Sequence, residues 1–166
     1  VIDWDNKNIS AKTIHVHGYQ KRYSIENYIF DPIFLAILLL KCNHGLLKKA
    51  VDYSDTENQY DIIKCSKAQK AIDYIVSVIE PRNLHLIIDR RPTKHTYGDY
   101  SYNIPTWFTL MHGHTLKEQL IDQFDVLNNI KGKGEYEIEN RLIKIISKLY
   151  PNVPFDTIEL LTQLAS

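Results

Sequence analysis

This sequence has two cysteines, no long apolar run and no net charge. Each of these features argues against a class of protein. The two cysteines, Cys42 and Cys65, lie 23 positions apart, which matches no zinc site and is too sparse for a disulfide framework. The most apolar run, Ile33 to Leu40, has eight residues, far fewer than the roughly 20 that a membrane helix needs. With two free thiols and no signal peptide, we expect a cytoplasmic protein without a membrane partner.

Twenty basic residues balance twenty acidic ones, so the formal net charge is zero. A neutral chain has no overall field that attracts nucleic acid, and any such contact has to come from a local patch or a bound metal ion. Hydrophobic residues make up 44% and charged residues 24% of the 166, which is a globular composition. This length predicts a single domain over residues 1–166, with a soft boundary near residues 92–104.

The chain divides by pattern into a strand-bearing front and a helical body. Val1-Ile2 is typical of the end of a buried strand, so we expect further residues upstream. Ile14 to His17 alternates like a second strand, and Leu84 to Ile88 is apolar enough for a third. The tyrosine-rich stretch from Lys94 to Asn103 predicts a loop or irregular hairpin. The sequence therefore predicts a mostly helical α/β or α+β fold.

Capping signals predict where the helices begin. Ser24 is placed to cap a helix from Ile25, and Pro32 to open a second one that runs to about Cys42. Ser66 to Gln69 and Thr115 to Glu118 both fit the capping-box pattern, and Gly113 is expected to end a short helix opened by Pro105. Apolar residues at helical spacing extend the helices behind these two boxes over about 68–79 and 116–124, and they predict two more helices over about 138–149 and 154–164.

The strongest candidate for chemistry is the pair Asp3 and Asp5. Two aspartates at i and i+2 on a strand point the same way, and at the end of a strand they face the crevice where α/β proteins bind ligands. Such oxygen ligands suit Mg²⁺ or Mn²⁺, which activate water and stabilise phosphoryl transition states. Glu26 is a further ligand or a catalytic base if it faces the same crevice. The alternative interpretation of Asp3 and Asp5 is that they cap backbone amides in a turn. The alternative interpretation of Glu26 is that it stabilises the N-terminus of a helix by its charge.

Two other groups of residues are weaker candidates for a functional site. The pairs His15/His17 and His112/His114 have metal-like spacing but lack a third ligand, so we expect loop or partly buried histidines. Four aromatic residues lie near Arg90, Arg91 and Lys94 in the sequence and could stack nucleic acid bases. The more common alternative is that they pack a loop onto the core. These aromatic residues are Tyr97, Tyr100, Tyr102 and Trp107.

The order of four short motifs resembles a bacterial family. They are Asp3-x-Asp5, Arg22 to Tyr28 (Arg-Tyr-Ser-Ile-Glu-Asn-Tyr), Tyr102 to Phe108 (containing Ile-Pro-x-Trp-Phe) and His112 to Leu116 (containing Gly-His-x-Leu). Together they resemble domains related to the Toprim region of OLD-family nucleases, which often occur with ABC-type ATPases in phage defence. The resemblance covers residues 1 to about 120.

The resemblance implies a partial Toprim-like strand front followed by a helical body, in which Asp3 and Asp5 hold Mg²⁺ for phosphodiester cleavage and Glu26 assists. It implies nucleic acid as substrate and an ABC-type ATPase as partner or fused domain. The Toprim pattern also has a glutamate on an earlier strand-loop unit, whereas this chain begins at the Asp-x-Asp strand. We therefore expect weak Mg²⁺ binding and no activity from this chain alone.

Two other functions stay open at this point. One is an aspartate-nucleophile phosphatase, in which Asp3 attacks phosphorus and Asp5 acts as the acid. That family has Thr or Val at the position of Lys7, and no later Asp-Asp pair follows here. The other is a helical interaction module without catalysis, whose acidic pair is residual.

Overall fold

A computed structural model describes residues 2–3, 16–17, 24–83, 91–154, 156–158 and 162, the first two ranges by their backbone pairing. Within these ranges the strands are Ile2–Asp3 (β1), Val16–His17 (β2), Pro92–Tyr97 (β3) and Tyr100–Pro105 (β4). The helices are Ile25–Ile29 (α1), Pro32–Lys41 (α2), Gly45–Ala50 (α3), Lys67–Ile79 (α4), Thr106–Leu110 (α5), Gly113–Gln123 (α6), Asp125–Lys131 (α7) and Glu137–Leu149 (α8). Turns of 3₁₀ helix occupy Gln59–Lys64 and Glu80–Arg82. The fold is therefore mostly helical α+β, as the sequence predicts.

Helix α2 is the centre of the core. Every residue from Pro32 to Leu40 is buried, which fits a helix that is apolar on all sides. The helix begins as predicted, because Pro32 occupies its first turn and the Asp31 carboxylate accepts a hydrogen bond from the backbone N–H of Ile33 at 2.9 Å. Helices α3, α4 and α8 and the Gln59–Lys64 turn pack around it.

Helices α4 and α8 are amphipathic, as their apolar spacing predicts. Helix α4 buries Ala68, Ala71, Ile72, Ile75, Val76 and Ile79, and α8 buries Ile138, Leu142, Ile145 and Leu149. The capping box predicted at Ser66 is wrong, since the Ser66 side chain makes no capping hydrogen bond. Its partner Gln69 instead donates to the Asn103 carbonyl at 2.9 Å and accepts from the Asn103 N–H at 2.8 Å. A tertiary contact with β4 thus replaces the local one.

Two short helices were missed by the sequence analysis. Helix α3 lies beyond α2, and α7 begins one residue after α6, with Phe124 between them. The predicted apolar stripe assigned Phe124 to a single helix, but the backbone of this residue is extended (φ −116°, ψ 97°). The predicted strand at 84–88 lies outside the described residues, as does most of the predicted C-terminal helix.

Strands β3 and β4 form a regular antiparallel hairpin, so the predicted loop or irregular hairpin is corrected. Its register pairs Pro92 with Pro105 and Tyr97 with Tyr100. Gly98 allows the tight turn because its φ is +58°, and a Cβ there would lie 2.3 Å from Asn152 Oδ1. Burial alternates along the inner part of the strands, where His95 and Tyr97 of β3 and Tyr102 and Ile104 of β4 are buried, as expected for strands with one face on the core.

Buried hydroxyl groups attach the hairpin to the helices. The Tyr97 hydroxyl donates to the Asp31 carboxylate, with oxygen–oxygen distances of 2.8 and 3.0 Å, and both side chains are fully buried. The Tyr102 hydroxyl donates to the Ile63 carbonyl at 2.6 Å. Within the described ranges, no helix is both long and apolar enough to cross a membrane.

Helix α3 is capped by a histidine acting as an acceptor. His44 Nδ1 accepts a hydrogen bond from the Leu47 N–H at 3.2 Å, and the ring packs edge-on against Phe124. Burial lowers the pKa of His44 below its ordinary value, while the nearby Asp125 carboxylate opposes this change. The neutral ring is therefore the form that fits the folded protein, since a proton on Nδ1 would remove the cap.

We predict that Tyr97→Phe lowers the free energy of unfolding by about 1–3 kcal/mol, because it removes a donor from a buried carboxylate. Urea unfolding measures the change. Tyr100→Phe is the matched control, since Tyr100 is exposed on the same hairpin and should leave stability unchanged. Equal stability of the two variants would contradict the prediction.

We also predict a pH dependence that is specific to His44. Because its pKa is lower in the folded state, the folded protein loses stability as pH falls through about 6.5 towards the lowered pKa. His44→Asn keeps a capping acceptor that does not titrate, so its stability curve should be flatter than that of the original protein between pH 7.5 and 5.5. Urea unfolding at several pH values tests this, and parallel curves would refute it.

Candidate functional site

The structure places Asp3 at the carboxyl end of a parallel strand pair. β1 pairs with β2 in parallel, with Ile2 opposite Val16 and Asp3 opposite His17. The carboxyl ends of parallel strands share one edge of a sheet, and ligands of α/β proteins bind there. Asp5 lies outside the described residues, so its place beside Asp3 stays a prediction.

Glu26 lies in the first turn of α1 and packs against the start of α6. A methyl group on Gly113 would lie 3.0 Å from Glu26 Oε2 and 2.8 Å from Glu26 Cβ. The carboxylate is half-buried and is close to the N-terminal turn of an 11-residue helix, an end that favours negative charge. The structure thus brings together Glu26 and the Gly-His-x-Leu motif, which are distant in the sequence.

Asn27 joins these two segments by hydrogen bonds. Its side chain is 1% exposed, and its Nδ2 donates to the Met111 carbonyl at 3.0 Å. Its Oδ1 accepts from the Ser24 N–H at 3.1 Å and from the Ser24 hydroxyl at 3.0 Å. One amide therefore caps α1 and fixes the chain entering α6. Asn27 takes the place that Glu or Gln has in the usual capping box, so the sequence pattern does not single it out.

The start of α6 differs from its prediction. The sequence predicts that Gly113 ends a helix and that a capping box from Thr115 to Glu118 begins the next, but α6 already begins at Gly113 and Thr115 lies inside it. A methyl group on Gly113 would lie 2.1 Å from the Ser24 hydroxyl. Gly113 is thus required for close approach between helices, and it does not terminate one.

The histidines do not form a metal centre in the part of the chain whose side chains are described. His112 and His114 are exposed, and His114 Nε2 lies 3.2 Å from Glu118 Oε1. That part of the chain contains no group of three or more His, Cys, Asp or Glu residues that could hold a metal ion. His15 lies outside it, and His17 is described by its backbone.

The donor set predicted for Mg²⁺ consists of oxygen atoms, which fits the preference of this ion. Among the three acidic candidates, Glu26, the predicted base or further ligand, is the one whose side chain the structure describes. It is half-buried and stands beside a helix N-terminus. A complete site at this position would need the carboxylates of Asp3 and Asp5, so the proposed metal centre depends on both.

The aromatic face predicted near Arg91 and Lys94 is not a base-stacking surface. Tyr97, Tyr102 and Trp107 are buried, and the first two rings pack against each other with centroids 5.8 Å apart. The alternative, in which the aromatic residues pack onto the core, is the one that the structure shows. Tyr100 is the exposed member of the group, and Arg90 lies outside the described residues.

The chain was compared with family models, with curated proteins and with solved structures, and nothing matches it in any of the three. The Toprim-like resemblance therefore rests on the motifs themselves. Its second and fourth motifs lie against each other where Gly113 meets Ser24 and Glu26, and Asn27 of the second motif bonds to Met111, just before the fourth.

We predict that Gly113→Ala destabilises the protein by about 1–3 kcal/mol, because the new methyl group overpacks the contact with Ser24 and Glu26. Gly45→Ala is the matched control at the first turn of α3, where a methyl group would meet no atom within 4 Å. This control should keep or raise stability, since alanine is the better helix former. Thermal unfolding measures both, and a Gly113→Ala variant as stable as the control would disprove the close contact.

Proposed function

We propose that this chain is part of a Mg²⁺-dependent, Toprim-like nuclease domain that cleaves nucleic acid. The observation that supports it is the parallel pairing of β1 with β2, which puts the backbone of Asp3 at the carboxyl edge of the sheet. A strand ending in Asp-x-Asp at such an edge can present two carboxylates to a hard cation. The proposal extends to a bacterial defence or repair system with an ABC-type ATPase as partner, as the resemblance implies.

Each acidic residue has a defined part in this proposal. Asp3 and Asp5 hold the ion, and Glu26 accepts a proton at its carboxylate in the role of general base. When bound, Mg²⁺ or Mn²⁺ supplies Lewis-acid stabilisation of the charge that develops on phosphate oxygens. Two carboxylates bind Mg²⁺ weakly without substrate phosphates, so we expect little metal affinity and no cleavage from this chain alone.

The proposed setting is the cytoplasm. Cys42 and Cys65 are both free thiols, which is the state that a reducing compartment maintains. A nuclease that acts with an ATPase on intracellular nucleic acid would work in that compartment.

A second candidate is a helical interaction module, and exposed apolar residues around α8 favour it. Ile143 is 47% exposed on this helix, and Tyr136 and Tyr150 at its two ends are 62% and 59% exposed. Exposed aromatic residues are typical of surfaces that bind another protein. This candidate needs no metal and predicts no cleavage under any condition.

We predict that Asp5→Ala in the full-length protein reduces Mg²⁺-dependent cleavage by more than about 100-fold, since losing even a residue that supports a metal ligand costs 10- to 100-fold. Fluorescent DNA and RNA substrates, with Mg²⁺ or with EDTA, measure the rate. Asp99→Ala, in the exposed turn of the hairpin, is the control and should cleave normally.

Thermal unfolding separates a loss of activity from a loss of structure in these variants. Cleavage retained by a folded Asp5→Ala protein would reject the nuclease proposal. Absence of cleavage in the unmodified full-length protein would favour the interaction module instead.

A further inference from the structure

A groove between α2, the Gln59–Lys64 turn and α8 collects positive charge in a chain that is neutral overall. Its volume is about 620 Å³, which is within the usual range for a binding pocket. Four cationic side chains line it, against the single carboxylate of Glu137. The four are Lys41, Arg141, Lys144 and Lys148.

Tyr60 contacts two of these cations. Lys41 Nζ lies 5.0 Å from the centroid of the Tyr60 ring and donates a hydrogen bond to the Tyr60 hydroxyl at 3.1 Å. Lys148 Nζ lies 5.6 Å from the same centroid. The ring attracts both ammonium groups, so two lysines from distant parts of the sequence contact the same aromatic side chain.

Arg141 and Lys144, the other two cations, continue the positive charge from Lys148 along α8. Arg141, Lys144 and Lys148 span seven positions, or about 10 Å at 1.5 Å per residue. Arg141 Nε donates to Glu137 Oε1 at 2.8 Å, which occupies one of its five N–H donors. Lys144 and Lys148 are exposed. Across the described residues, neither forms an ion pair with a carboxylate.

We propose that this groove binds the phosphate backbone of single-stranded nucleic acid. A row of cations about 10 Å long suits a ligand with repeating charges, such as a nucleic acid strand, which carries one phosphate for about every 3.4 Å of helix axis in DNA. A positive groove that follows the backbone is the usual arrangement in proteins that bind single strands. The binding requires no metal, so the inference goes beyond the nuclease proposal.

The spacing of the cations, and not their type, is what favours the phosphates of a strand. Three of the four are lysines, which act as point charges, and the guanidinium fork matches carboxylate and phosphate alike. The single arginine of the groove is already held by Glu137. An acidic peptide is therefore the competing ligand in the test.

The first test measures binding of a labelled single-stranded oligonucleotide by fluorescence anisotropy, in EDTA so that cleavage plays no part. We expect the double variant Lys144→Gln/Lys148→Gln to bind about tenfold more weakly. Its slope of log K against log salt should be smaller by about 1.4, since each lost phosphate contact changes the slope by about 0.7.

The control is Lys49→Gln/Lys94→Gln, which removes the same charge from exposed positions outside the groove. It should bind as the unmodified chain does. Lys94 also lies in the hairpin whose aromatic residues the sequence offered for base stacking. An equal loss of affinity in this control would show that the oligonucleotide binds outside the groove, which would overturn the proposal.

The second test uses Cys42, which lines the groove and is half-buried. Bound oligonucleotide should slow its alkylation by iodoacetamide. Cys65 is also half-buried and does not line the groove, so it should react at an unchanged rate. Equal protection of both cysteines, or of neither, would contradict binding in the groove.

Competition identifies the ligand. Displacement of the oligonucleotide by poly-glutamate at an equal concentration of charge would indicate an acidic protein partner. Displacement by millimolar inorganic phosphate alone would indicate a site for a single phosphate. Either result, or the absence of saturable binding, overturns the proposal, and none of them depends on whether the full-length protein cleaves nucleic acid.

Discussion

The hydrogen bond between the Tyr97 hydroxyl and the Asp31 carboxylate is the constraint on which the described structure depends most. Asp31 caps the central helix α2, and Tyr97 ends the strand β3, so this contact joins the hairpin directly to the start of the central helix. Both side chains are fully buried, where a polar group without a partner is strongly unfavourable. Other placements of the hairpin would remove the Tyr97 donor from this buried carboxylate, so the hydrogen bond favours the observed arrangement.

The junction of α1 and α6 applies the same principle at the candidate site. The buried Asn27 amide joins Ser24 to the Met111 carbonyl, and Gly113, which has no side chain, leaves room for the side chains of Ser24 and Glu26. Glu26 is thereby held at a defined place beside the start of α6. A catalytic or metal-binding carboxylate needs such support from neighbouring groups, and this support is what links the geometry of the described residues to the proposed nuclease function.

Charge in this protein is organised locally. The overall balance of twenty basic and twenty acidic residues predicts no attraction for nucleic acid, yet the groove between α2 and α8 has four cations and one carboxylate. Composition averages over the whole surface, whereas a ligand responds to the charges within about a Debye length of its own position. The i, i+3, i+7 spacing of Arg141, Lys144 and Lys148 is visible in the sequence. Their proximity to Lys41 and Tyr60 is not.

The sequence by itself determined the mostly helical class, the start of α2 at Pro32 and the apolar faces of α4 and α8, because periodicity and capping act within one or two helical turns. Tertiary structure decided the regular hairpin, the junction at Gly113 and the groove around Tyr60. It also overrode the capping boxes at Ser66 and Thr115, since Gln69 bonds to β4 and α6 begins against α1. These features depend on contacts between residues far apart in the chain, whose energies exceed a local signal of about 1 kcal/mol.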